Sequence, residues 1–166
     1  LDGDDDDQNQ KNDDILGWDV ADGDRDPYPR EGLLNKDSGW HHGTHVAGVL
    51  CARTNNNLGM VSPAYNGKIL SIKASKDGEV DDNGALTDDP SIFEGFSGIL
   101  YAAQIGYAAG MRTIINCSWG GGGYDADEND VIDLAYEMYG AIIVAAAGNG
   151  TDNPSDEEYA QHYPSS

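Results

Sequence analysis

Positive charge is what this chain has least of. Nine lysines and arginines stand against thirty aspartates and glutamates, giving a formal net charge of -21 at pH 7 and a pI near 4.1. A field of that sign repels polyanions and favours solubility, cations and basic substrates, so neither nucleic acid nor an anionic membrane surface is expected as a partner. No apolar run approaches the roughly 18 residues a membrane span needs. Cysteine is equally scarce. Cys51 and Cys117 cannot build a disulfide framework, and each sits among apolar neighbours where a thiol serves as a small hydrophobe. The chain opens at Leu1 without an initiator methionine or a signal peptide, a start expected of a mature product or an excerpt.

What is present suffices for a core. Hydrophobic residues make up 39% of 166 positions, enough for one domain or one large piece of a domain. Three sections follow from the composition. Residues 1–40 form an acidic, loop-rich lead-in, with Asp4 to Asp7 as a carboxylate run and Ile15, Leu16 and Trp18 as a short strand or anchor. Residues 41–150 carry alternating helical and strand patterns, and residues 151–166 are a polar tail.

Within the middle section, Val46, Val49 and Leu50 recur at helical spacing over residues 42–53, and the asparagines at 55–57 with Gly59 end that helix. Residues 68–74 are a short apolar run of strand length, followed by an acidic loop over 76–90. A second helix is expected over 91–109, closed by Gly110, and a third over 129–138. Strands are expected over 113–117 and 141–147, the second entirely apolar. Continuous apolar strands alternating with helices predict an α/β fold, a parallel sheet flanked by helices on both faces. In such sheets chemistry lies beyond the carboxyl ends of the strands, where Ser118 to Gly123 and Gly148-Asn149 both fall.

Two metal motifs fail on inspection. His42 and His45 are three apart with Gly43 after the first, whereas a zinc protease helix needs histidines four apart and a glutamate after the first. A calcium EF-hand counted from Asp22 would place Pro27 and Leu33 where glycine and glutamate are required. His42 remains as a group able to exchange a proton near neutrality, beside small residues that leave room for another backbone.

The segment His42-Gly43-Thr44-His45-Val46-Ala47-Gly48 resembles, letter for letter, the histidine motif of the subtilisin-like serine proteases. The resemblance extends along nearly the whole chain. Asp14 to Val20 with Asp24, Asp26 and Pro27 is similar to the lead-in of secreted bacterial members. Residues 54–59 resemble the family's asparagine-rich loop, Asn116 to Gly121 its N-x-SWGG element, Ala145 to Asn149 its AAGN element, and His162 to Ser165 its HYPAS element. The chain departs at Ser62-Pro63-Ala64-Tyr65, which lacks the family's glycine.

The resemblance implies a subtilisin-like three-layer fold, present here as the central part of one peptidase domain, and a serine-type endopeptidase acting through an acyl-enzyme. It gives His42 the role of general base, with His45 structural, and Asn149 that of oxyanion donor. Ser118, Trp119, Gly120, Ala147 and Gly148 would bind substrate, and Asn55, Asn56 and Leu58 would hold a structural calcium ion. Polypeptide substrates, a monomer, a secreted location and no organic cofactor complete the expectation. Two family motifs are missing between Leu1 and Ser166, the D-[ST]-G of the triad aspartate and the GTS-x-A of the nucleophile. Two readings therefore stand: an excerpt of a complete endopeptidase, or a non-catalytic calcium-binding or interaction domain that retains the fold.

Overall fold

A computed structural model describes residues 9, 11–12, 14–29, 39–78, 82–83, 91–121, 125–149 and 164. The carboxylate run at Asp4 to Asp7, most of the acidic loop over 76–90, and the tail with its His162 and Tyr163 lie outside the described residues. The chain divides into two compact units, Leu1–Glu94 and Gly95–Ser166.

In the first unit a single 3-10 turn, Asp14–Leu16, leads into strand β1 (Gly17–Asp19), helix α1 (His42–Cys51) and strand β2 (Ser71–Lys73). β1 and β2 pair in parallel, with Gly17 opposite Ser71 and Asp19 opposite Lys73. Gly17 sits at φ +124 against the backbone of Ser71, and a Cβ there would collide with the Ser71 carbonyl. Only glycine allows the two strands to approach this closely.

Helix α1 buries none of its residues, and Val49 and Leu50 on its expected apolar stripe are exposed. Its carboxyl end is held instead by polar contacts. Buried Ser62 accepts a hydrogen bond from Ala52 N at 2.9 Å through Oγ and donates one to the Gly48 carbonyl at 2.7 Å. Ala64 N donates to the Leu50 carbonyl at 3.0 Å. Ser62 thus adds a second partner to the Gly48 carbonyl and to the Ala52 amide, which already bond each other at 3.1 Å, and ties the following loop to the end of α1.

The second unit comprises α2 (Gly95–Ala108), β3 (Ile114–Cys117), α3 (Ala126–Glu137) and β4 (Ile142–Ala145). α2 ends at Gly110, whose φ of +68 lets Met111 N reach back to the Gly106 carbonyl at 2.9 Å. α3 begins three residues before its expected start because the Asp125 carboxylate caps it, accepting from Asp127 N at 2.8 Å and from Glu128 N at 3.3 Å. β3 and β4 pair in parallel, Ile114 opposite Ile142 through Cys117 opposite Ala145, with α3 as the crossover between them.

Alternation along β3 and β4 decides where the core lies. Ile115, Cys117, Ile143 and Ala145 pack with Ile99 and Ala103 of α2 and Ala135 of α3. Ile114, Asn116, Ile142 and Val144, one residue out of phase, form the other face and are exposed. The α/β class with parallel pairing agrees with the sequence reading, and among the described residues it is one face of this strand pair that the helices cover.

Candidate active site

The parallel pairing of β3 with β4 delivers two predicted site segments to one edge. Cys117, buried and opposite Ala145, ends β3, and Ala146 N donates to the Cys117 carbonyl at 2.9 Å, carrying the pairing one residue further. Beyond it Ser118, Trp119 and Gly120 leave β3, while Ala147, Gly148 and Asn149 leave β4 at the same end. Ser118 and Trp119 are half-buried; Gly120, Ala147, Gly148 and Asn149 are exposed. Trp119 is seated edge-on against Phe96, with ring centroids 5.5 Å apart and planes at 84°. Gly148 turns the chain at φ +83 directly before Asn149. An accessible amide at the carboxyl edge of a parallel strand can donate to negative charge that develops in a bound substrate.

The Cys117 thiol faces the core, and burial pushes its pKa up to about 11, so it stays protonated and unreactive. Cys51 is likewise a free thiol. Cys117 fits the expectation of a cysteine used as a hydrophobe, whereas Cys51 is only partly buried.

His42 is the first residue of α1, in the other unit. Its amide donates to the Gly39 carbonyl at 3.1 Å, which fixes the backbone at the helix start, and its side chain is exposed. Neighbouring His41 and His45 are exposed as well, so the structural role expected of His45 has no buried packing behind it. Among the described residues no three His, Cys, Asp or Glu side chains gather into a group that could hold a metal ion.

The charged feature that sequence reasoning missed lies at the carboxyl ends of β1 and β2. Lys73 ends β2 with its side chain 7% exposed, and its ammonium meets three carboxylates. Asp19, 2% exposed at its side chain, is the closest, and Asp22 and Asp77 each stand at 3.1 Å. The other oxygen of Asp19 accepts from Ala21 N at 2.9 Å and Asp22 N at 3.0 Å, closing the turn that follows β1. Asp22 also accepts from Asp77 N at 2.8 Å. The three N–H groups of the ammonium thus face three carboxylates, and the turn at 19–24 is tied to the segment leaving β2.

Burial works against the Lys73 charge, but hydrogen bonds to Asp19, Asp22 and Asp77 outweigh it and hold the ammonium above the usual lysine range. For Asp22 burial acts upward, and the Asp77 amide with the Lys73 ammonium overcomes it, keeping that carboxyl below its usual range. Burial pushes the Asp19 carboxyl upward, opposed by Lys73 and the two turn amides. The contact with the ammonium keeps the junction charged at neutral pH. Asp19, Asp22 and Asp77, part of the acidity that pointed towards cations, share one ammonium from within the chain, which offsets one of their three charges.

The expected calcium loop is exposed at Asn55, Asn56 and Leu58. Asn55 and Asn57 take left-handed backbone conformations at φ 61 and 59, which asparagine tolerates better than most residues. Asn56 Oδ1 accepts from Leu58 N at 3.0 Å, closing a local turn.

Comparison with known proteins places these features in a family. The subtilase family model matches residues 5–166. The chain is 34% identical over 143 residues to a thermophilic serine proteinase of a Bacillus species, covering 86% of this chain and 30% of that protein. It is 31% identical over 146 residues to thermitase of Thermoactinomyces vulgaris, covering 87% of this chain and 44% of thermitase. It is also 32% identical over 136 residues to an extracellular basic protease of Dichelobacter nodosus, covering 77% and 20%. The chain therefore spans less than half the length of each of these relatives. With the family match running over nearly all its residues, and with parallel strands delivering the SWGG and AAGN segments to one edge, the chain belongs to the subtilase family.

Proposed function

We propose that this chain forms part of a secreted serine-type endopeptidase that hydrolyses internal peptide bonds through an acyl-enzyme. The observation that carries this reading is the shared edge of β3 and β4, where Ser118 to Gly120 and Ala147 to Asn149 leave adjacent parallel strands. In the proposed reaction a substrate lies extended along Ser118 to Gly120 and pairs with their backbone as an added strand. His42 takes the proton of a serine hydroxyl supplied elsewhere in the complete polypeptide and returns it to the leaving amine. The Asn149 amide donates to the oxyanion of the tetrahedral intermediate. Because that charge exists only near the transition state, the donor acts on turnover and not on ground-state binding.

Replacing Asn149 by alanine in the complete polypeptide is expected to lower kcat by roughly 10² to 10³ with little change in KM, the scale known for the oxyanion donor of subtilisin itself. Steady-state hydrolysis of a peptide amide checks this, and an unchanged kcat would remove Asn149 from the site. Secretion is supported by relatives that carry extracellular in their names. No helix among the described residues is long and apolar enough to cross a membrane. The substrate is a polypeptide, the proposed form is a monomer, and no nucleic acid or organic cofactor takes part.

Calcium enters the proposal as a structural ion at the loop holding Asn55, Asn56 and Leu58, which offers amide and carbonyl oxygens. Millimolar calcium is expected to raise the melting temperature of the complete polypeptide, and Asn56→Ala to reduce that rise. Equal shifts in both proteins would place the ion elsewhere, and no shift in either would end the calcium reading.

A further inference from the structure

We propose that Asn116 is a positioning residue that turns the Ser118 hydroxyl proton towards the substrate; the proposal rests on the endopeptidase reading and deepens it. Asn116 is the third residue of β3, opposite Val144, on the face that the helices leave exposed. Its side-chain Nδ2 donates to Ser118 Oγ at 2.8 Å. The two residues are separated by Cys117, whose side chain is buried and whose carbonyl is engaged by Ala146 N, so the backbone between them is fixed. Trp119, directly after, is fixed in turn by Phe96.

Between these two anchors the Ser118 hydroxyl is a rotor, and the amide of Asn116 sets its direction. A hydroxyl has one proton to give and two lone pairs to accept with. Once Oγ accepts from Asn116, its proton cannot point back along that bond and is directed to another acceptor. Ser118 stands just past the carboxyl end of β3, where an extended peptide would lie, and the commonest acceptor on a peptide is a carbonyl oxygen. Asn116 thereby makes Ser118 a hydrogen-bond donor to the substrate main chain, without touching substrate. An aspartate at the same place would reverse the bond, because a carboxylate only accepts and would take the Ser118 proton for itself.

A double-mutant cycle on the complete polypeptide tests this, with KM and kcat measured for one extended peptide amide. Ser118→Ala removes the donor and is expected to raise KM about tenfold with kcat nearly unchanged, as loss of a uniformly bound contact should. Asn116→Asp is expected to raise KM by a similar factor, and Asn116→Ala by less. In the Ser118→Ala background, Asn116→Ala and Asn116→Asp should have no further effect on KM, since the group they act through is gone. Melting temperatures of the single variants should stay near that of the parent, because Asn116 is exposed. An Asn116→Asp variant with unaltered KM, or Asn116 effects equally large with and without the Ser118 hydroxyl, would overturn the proposal while leaving the endopeptidase reading intact. A parent polypeptide that cleaves no peptide would overturn both.

Discussion

Replacing Lys73 by methionine is expected to destabilise the protein by about 3–5 kcal/mol, the range for breaking a buried ion pair from one side. The cost comes less from the lost attraction than from what is left behind. Asp19 is nearly closed to solvent and would keep a charge facing the vacated space, with only its two turn amides for compensation. Asp22 and Asp77, close to the same point, would repel it and each other. Pairing Lys73→Met with Asp19→Asn should recover part of the loss, since removing both members of a buried pair is far milder than removing one. Denaturant melts of the complete polypeptide and the two variants measure this. A Lys73→Met protein within about 0.5 kcal/mol of the parent, the range of ordinary surface changes, would show that the junction does not hold the unit together.

The pH dependence of the same difference has a defined sign. The carboxylates raise the Lys73 pKa above its unfolded value of 10.5, so its contribution is complete below that pH and is lost as pH rises through the folded value. Asp22 is lowered from 3.8, so its contribution is present above that pH and is lost as pH falls through its folded value. The stability gap between the parent and Lys73→Met should therefore be flat through neutral pH and narrow both in strong alkali and in strong acid.

The second large effect concerns chemistry. His42→Ala in the complete polypeptide is expected to lower kcat by roughly 10⁶, the scale known for loss of the base in subtilisin, with KM much less affected. An alanine can neither accept the serine proton nor return one to the leaving amine, so acylation loses both of its proton transfers. The substitution should be mild structurally. His42 is exposed at the first turn of α1, and alanine is a better helix former than histidine. A folded variant with parent-like turnover would remove His42 from the mechanism.

Most of the fold could be read from local pattern because local pattern determined it. The apolar strand ending before Ser118 and the one ending before Gly148 placed both segments at a sheet edge, since parallel strands leave on the same side. Boundaries shifted where a single side chain decided them, as at α3, whose start moved upstream to the Asp125 cap. The strand over 68–74 contracted to Ser71–Lys73, the three residues that find partners in β1.

The Lys73 junction was not legible for a different reason. A lysine closing an apolar strand reads as a solvent-facing tip, and nothing nearby in sequence pairs it with Asp19, 54 residues earlier. Only the register of β1 against β2 sets the two opposite each other. The Asn116 to Ser118 bond lay within reach of pattern reading, because residues two apart in a strand share a face. Within the N-x-SWGG pattern, asparagine signals the motif before it signals a donor.

In the proposed mechanism His42 serves a nucleophilic serine carried by the complete polypeptide. Labelling that polypeptide with a serine-directed fluorophosphonate, followed by mass spectrometry, tests it most directly. The expected result is stoichiometric modification of one serine outside residues 1–166, slowed by orders of magnitude in the His42→Ala variant. A folded polypeptide that takes no label, or one labelled equally fast without His42, would contradict it.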